Sequence, residues 1–63
     1  MSHVKLRQLR EKRGISATYM AKQLGYKHAS GYCNIEYGIN RLRFDQAVKI
    51  ASIFGVTVDE LSG

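Results

Sequence analysis

Gly25-Tyr26-Lys27-His28-Ala29-Ser30-Gly31-Tyr32-Cys33-Asn34-Ile35-Glu36-Tyr37-Gly38 lies in the middle of a 63-residue chain and is bounded at both ends by glycine. Small polar residues and aromatics fill it, whereas its flanks carry apolar periodicity and basic charge. Gly25 is placed to close one helix with a positive φ, and Gly38 to close the next. The start of that next helix could fall at Lys27, His28 or Ser30. His28 near the N-cap is favoured, because Tyr32 and Ile35 then form an inward i, i+3 pair. Ala29, Ser30, Cys33 and Asn34 project outward in that register. Gly31 costs about 1 kcal/mol relative to alanine in an exposed helix interior, so it implies either close approach of another group or a frayed first turn. The stretch reads as a short helix whose outer face meets a partner, with the rest of the chain as its scaffold.

On its N-terminal side, Ile15 and Ser16 read as a hydrophobic N′ residue and an N-cap for a helix from Ala17 to Leu24. Met20, Ala21 and Leu24 form its inner face, with Tyr19 at the margin, and the small Ala21 would let another helix cross closely. Before that, a helix is expected from about Val4 to Arg13. Ser2 is its candidate N-cap, Val4, Leu6 and Leu9 its apolar stripe, and Lys12 and Arg13 suit the negative end of the dipole ahead of Gly14. Arg10 falls four residues after Leu6, close to the stripe. It is either a snorkelling surface arginine or the partner of a carboxylate elsewhere.

On the C-terminal side, Ile39 to Arg43 forms a basic loop in which Arg41 and Arg43 flank Leu42. A helix from about Phe44 to Phe54 follows, with Phe44, Ala47, Val48, Ala51 and Phe54 repeating at helical spacing and Ile50 widening the buried face. Both aromatics are expected in the core. Gly55 stops this helix, and Thr57-Val58-Asp59-Glu60 is a capping box for a last turn ending at Leu61. The pattern predicts an all-α, compact five-helix bundle with no strands.

Length and composition narrow the functional classes. Residues 1–63 are expected to form a single domain, near the lower size at which one core folds without staples. One cysteine excludes an internal disulfide and fits a reducing compartment. No run approaches a membrane span, and Met1 to Leu9 mixes charge into its apolar residues, unlike a signal peptide, so the chain reads as cytoplasmic with no membrane partner.

The net charge is +5 and unevenly spread. Residues 1–27 carry Lys5, Arg7, Arg10, Lys12, Arg13, Lys22 and Lys27 against Glu11 alone, whereas residues 44–63 carry Lys49 against Asp45, Asp59 and Glu60. This asymmetry is the footprint of a polyanion binder, set against the plainer reading of a solvated basic face. No paired carboxylates, phosphate-cradling glycine loop or Ser/His/Asp set points to an enzyme, a cofactor or a small-molecule substrate. His28 and Cys33 are five apart and off a common helical face, so no metal site is expected. Cys33 reads as an ordinary contact residue, since only a nearby histidine argues for redox chemistry. The four tyrosines fit wedge, rim and core positions better than a single-strand stacking platform.

Gly14-Ile15-Ser16, Met20-Ala21-Lys22-Gln23-Leu24-Gly25, Ile35-Glu36-Tyr37-Gly38 and Ile50-Ala51-Ser52-Ile53-Phe54-Gly55-Val56-Thr57-Val58-Asp59-Glu60-Leu61 together resemble the Cro and phage-repressor type, or XRE-type, helix-turn-helix domain. The resemblance covers almost the whole chain. It implies a five-helix bundle of the lambda-repressor-like type, with the second and third helices as the DNA-binding unit and the third in the major groove. Ala21 and Gly25 match scaffold positions that permit the helix crossing. Arg10 and Glu36 match a basic and an acidic residue that pair beneath the surface in this family.

By the same resemblance, Ala29, Ser30, Cys33 and Asn34 match positions that reach base edges. Asn34 is the best reader, since an amide can pair with adenine; Ser30 could serve any base, and Ala29 could contact a thymine methyl. Ser16, Ala17, Lys27, His28, Tyr37, Asn40, Arg41 and Arg43 match phosphate-contacting positions. The family usually has glutamine where this chain has Ala17, leaving backbone amides to bind phosphate there. One extra residue lies between Gly25 and Glu36, so the register of residues 27–31 is open by one position. Arg43 replaces the usual Ser or Thr cap. The implied function is repression of the phage, prophage or mobile-element type, by a homodimer on a palindromic double-stranded operator. Dimerisation is expected through Val56, Val58 and Leu61, weak in solution and stronger on DNA. The alternative is a protein-docking module built on the same bundle.

Overall fold

A computed structural model describes residues 3–61 and contains, among them, five α-helices and no strands. They are α1 (Val4–Lys12), α2 (Ala17–Gln23), α3 (Ala29–Glu36), α4 (Phe44–Phe54) and α5 (Val58–Leu61). Ser2, the candidate cap of α1, lies outside the described residues; His3 occupies the N-cap without a side-chain bond. The His3 amide instead donates to the Glu36 carbonyl at 2.8 Å, tying the entry of α1 to the last turn of α3.

The helix ends are encoded locally. At the end of α2, Gly25 takes φ +86°, a conformation that would strain a residue with a Cβ. This lets the Tyr26 amide reach back to the Ala21 carbonyl at 2.9 Å and the Gly25 amide to the Lys22 carbonyl at 3.1 Å. That double closure is a Schellman motif, and α1, α3 and α4 end the same way at Gly14, Gly38 and Gly55. The starts are more varied. Ser16 Oγ accepts the Tyr19 amide at 3.1 Å and Thr57 Oγ1 accepts the Glu60 amide at 3.3 Å, whereas the His28 side chain at the head of α3 makes no cap bond.

The core is drawn from every helix: Leu6 from α1, Met20 and Ala21 from α2, Tyr32 and Ile35 from α3, Ala47, Ile50, Ala51 and Phe54 from α4, and Leu61 from α5. Val4 leaves the expected α1 stripe and is exposed, because it lies on the far side of the helix from Leu6.

Two further core expectations are corrected on α4. Phe44 is 76% exposed and Val48 44% exposed, while Gln46 is buried at 6%. At 100° per residue, Ala47, Ile50 and Phe54 centre the buried face about a quarter-turn or more away from Phe44 and Val48. The helix is rotated toward Gln46, whose amide is satisfied inside. Gln46 Oε1 accepts the Arg43 amide at 3.2 Å, and its Nε2 donates to Tyr26 Oη at 2.7 Å.

Arg13 does more than complement the α1 dipole. Its Nε donates to the Phe54 carbonyl at 2.7 Å and its Nη1 to the Leu9 carbonyl at 3.0 Å. The guanidinium sits 5.7 Å from the centre of the Phe54 ring, within cation–π range. One arginine therefore staples the end of α1 to the end of α4.

Candidate nucleic-acid interface

The pair α2–α3 is built on small contacts. Ala21 is 1% exposed at the crossing, where a larger side chain would force the helices apart. Behind α3, Arg10 and Glu36 form a buried ion pair. Arg10 Nε donates to Glu36 Oε2 at 2.7 Å and Nη2 to Oε1 at 3.4 Å, while Nη1 donates to the Ile15 carbonyl at 2.8 Å. Hydrogen bonding to the Glu36 carboxylate holds the Arg10 guanidinium above its ordinary pKa, and burial opposes this to a smaller extent.

Tyr32 completes this rear cluster. Its side chain is fully buried, and its hydroxyl makes no hydrogen bond of good geometry among the described residues. Burial pushes the phenol well above its usual pKa, with the neighbouring Glu36 carboxylate adding to the shift. Tyr32, Ile35 and Glu36 thus fix one face of α3 and leave the opposite face for a ligand.

Away from that face Ser30 is exposed and Cys33 and Asn34 are partly exposed; Ala29, expected outward with them, is partly exposed but lies three and seven residues before Tyr32 and Glu36, on the edge of their face. The side chains of Ser30, Cys33 and Asn34 make no hydrogen bond among the described residues. His28 occupies the N-cap of α3, the start favoured from the sequence. Tyr26 explains Gly31. A Cβ at Gly31 would stand 2.5 Å from both Cγ and Cδ1 of the Tyr26 ring, a separation that real side chains do not tolerate.

Around α3 lie the residues matched to phosphate contact. Lys27, His28, Tyr37, Asn40, Arg41 and Arg43 are all exposed, as is Ser16, whose hydroxyl is engaged in capping α2; Ala17 is partly buried against the core. Asn40, Arg41 and Arg43 are brought together with Leu24, Gly25, Tyr26 and Gln46 around an open pocket of about 470 Å³. Lys27 and His28 do not line it. Arg43 Nε also meets Asp45 Oδ1 at 3.5 Å with both side chains largely exposed, a pairing of small energetic worth. Arg43, which stands where the family usually has a Ser or Thr cap, makes no side-chain cap bond to α4, and its backbone amide donates to Gln46 Oε1.

Of the residues matched to dimerisation, Val56 and Val58 are partly buried against the core and Leu61 is only 3% exposed. The Leu61 side chain therefore serves the core of the single chain and has little area to offer a second one. Tyr26 and Gln46 were absent from the expected site. The signals that could have found them are the glycine at position 31 and the glutamine three residues after Arg43, at the capping-box position.

A helix-turn-helix family model matches residues 6–61, the whole span from the first core leucine to the last. The chain belongs to the XRE family of helix-turn-helix proteins. Searches of curated proteins and of solved structures returned no significant match. Membership assigns the α2–α3 unit of this XRE domain to double-stranded DNA binding and the protein to the regulators. No helix of the XRE domain is long and apolar enough, among the described residues, to cross a membrane.

Proposed function

We propose that the protein is a cytoplasmic, sequence-specific transcriptional repressor of the phage, prophage or mobile-element type, which binds a palindromic operator as a dimer. The observation that carries this reading is the division of α3 into two faces. Tyr32, Ile35 and Glu36 are locked into the scaffold, while Ser30, Cys33 and Asn34 present side chains with no internal hydrogen bond. Polar groups left unpaired on a helix that follows a tight turn, beside Arg41 and Arg43, suit base edges in a major groove flanked by phosphates.

The mechanism follows from those parts. Lysines and arginines release counterions as they neutralise phosphates, which supplies affinity without sequence preference. Ala29, Ser30, Cys33 and Asn34 then discriminate base pairs, with the Asn34 amide best suited to adenine. Ser16, Ala17, Lys27, His28, Tyr37, Asn40, Arg41 and Arg43 set the register on the backbone. Two copies joined near Val56 and Val58 would read half-sites about one helical turn apart.

Selection of bound duplexes from a random DNA pool tests this. A palindromic consensus is expected, and Asn34→Ala should relax preference at one base position per half-site. A lack of enrichment would favour the docking reading, which has one observation behind it: Phe44 and Val48 lie one turn apart and are both exposed on α4, apolar area that a protein partner could cover.

A further inference from the structure

We propose that the Tyr26 hydroxyl donates a hydrogen bond to a DNA backbone phosphate, and that the buried side chain of Gln46 holds it in position to do so. The proposal rests on the DNA-binding reading and adds to it a contact and a positioning residue that the family resemblance did not supply.

The bonds around Gln46 fix which atoms donate. Gln46 is 6% exposed, and its Oε1 accepts the backbone amide of Arg43 at 3.2 Å. A backbone N–H can only donate, so this bond settles which end of the Gln46 amide is oxygen. Nε2 is then the end that faces Tyr26 Oη, 2.7 Å away, and the phenol oxygen must be the acceptor. Tyr26 keeps its own proton. That proton has no acceptor among the described residues.

Tyr26 and Gln46 line the pocket of about 470 Å³ together with Asn40, Arg41 and Arg43. Two guanidinium groups, an amide and an uncommitted phenolic proton form a donor-rich wall, and no acid lines the pocket. Asp45 stands at the rim, where it meets Arg43. An anionic group that only accepts hydrogen bonds is the natural occupant, and a phosphodiester meets that description. Position favours the duplex backbone over a free anion, because the pocket joins the turn before α3 to the loop after it. A phosphate held there would flank the groove that α3 enters. The Tyr26 ring fills the space beside Gly31 and its oxygen is held by Gln46 Nε2, so the phenol oxygen is positioned before any ligand arrives.

The test couples the protein to individual phosphates. Each phosphate of a duplex enriched from a random pool is replaced in turn by a neutral methylphosphonate, and binding is measured for the wild-type chain, Tyr26→Phe and Gln46→Glu. Tyr26→Phe keeps the ring over Gly31 and removes only the hydroxyl. Gln46→Glu keeps a bond between positions 26 and 46 but turns the tyrosine proton inward, because a carboxylate only accepts. Tyr26→Phe should bind the unmodified duplex about tenfold more weakly, as expected for loss of a hydrogen bond to a charged group. At one phosphate position the methylphosphonate should cost the wild-type chain several-fold more than either variant, and this coupling would be absent if Tyr26 only stiffened the fold. Identical methylphosphonate profiles for all three proteins would overturn the role of Tyr26 and leave DNA binding intact. A wild-type chain that enriches and binds no duplex would overturn both.

Discussion

The ring of Tyr26, in the turn between α2 and α3, occupies the space in which Gly31, in the first turn of α3, would otherwise carry a side chain. An alanine Cβ at position 31 would sit 2.5 Å from two ring carbons. This contact sets how the recognition helix leaves the turn. It also reverses the usual expectation for a glycine inside a helix.

Gly31→Ala should destabilise the domain by about 1–3 kcal/mol, despite the gain of about 1 kcal/mol that alanine brings to a helix interior. Thermal unfolding followed by circular dichroism would show a lower Tm. In the background of Tyr26→Gly, which removes the ring and also the Tyr26 Cβ that would stand 2.9 Å away, the same change at position 31 should be neutral or stabilising. A Gly31→Ala protein as stable as the wild type would show that the contact does not constrain the turn.

Tyr32→Phe should leave stability at neutral pH unchanged or slightly raised, because the deleted hydroxyl is buried without a hydrogen bond of good geometry. At alkaline pH the two proteins should diverge. The folded phenol has its pKa raised, so the folded state keeps the proton while the unfolded chain loses it near the ordinary value of 10.0. Stability associated with Tyr32 is then present below that pH and lost above it. The variant should unfold at higher pH than the wild type in a titration at fixed denaturant, and superimposable curves would count against the assignment.

Arg10 and Glu36 are a pair whose members depend on each other. Their side chains are 14% and 4% exposed. Glu36→Leu or Arg10→Met alone should cost about 3–5 kcal/mol by leaving one buried charge uncompensated, enough to unfold a domain of this size near room temperature. The double variant Arg10→Met/Glu36→Leu should be more stable than either single one. Additive losses in denaturant unfolding would show that the two side chains act independently.

Three arginines should divide cleanly by assay. Arg13→Lys removes a fork that bonds to the Phe54 and Leu9 carbonyls and should lower stability by about 1 kcal/mol, with the DNA affinity of the folded fraction unchanged. Arg41→Ala/Arg43→Ala should leave Tm nearly untouched, reduce affinity for all duplex sequences alike and lower the slope of log K against log salt by about 2. Unchanged salt dependence in the double variant would remove these two residues from the phosphate contacts.

The legible parts of the chain were the local ones. Helix ends could be read from Gly14, Gly25, Gly38 and Gly55 because each closure is completed within six residues by backbone bonds. Tyr32 and Ile35 were read as inward from their spacing, and both are fully buried. The Arg10–Glu36 pair needed the family resemblance, since no local rule joins residues 26 apart. Apolar periodicity failed on α4. It counted Phe44 and Val48 as core and passed over Gln46, because a polar side chain can be buried only where its partners are known, and these are the Arg43 amide and a hydroxyl 20 residues away. Local sequence marks Arg13 only as a helix-end charge for the same reason: its acceptor on Phe54 is 41 residues distant. Gly31 announced a close approach without naming the neighbour, which depends on the course of the turn.

The two faces of α3 also separate what the chain must keep from what it can change. Tyr32, Ile35 and Glu36 are committed to the bundle and Gly31 to the ring of Tyr26, while the side chains of Ser30, Cys33 and Asn34 make no hydrogen bond among the described residues. Substitutions at those outward positions cost the fold little, so a lineage carrying this scaffold can exchange one target for another without passing through unstable intermediates. On the proposed reading, recognition and architecture are two nearly independent inheritances written on one helix of eight residues.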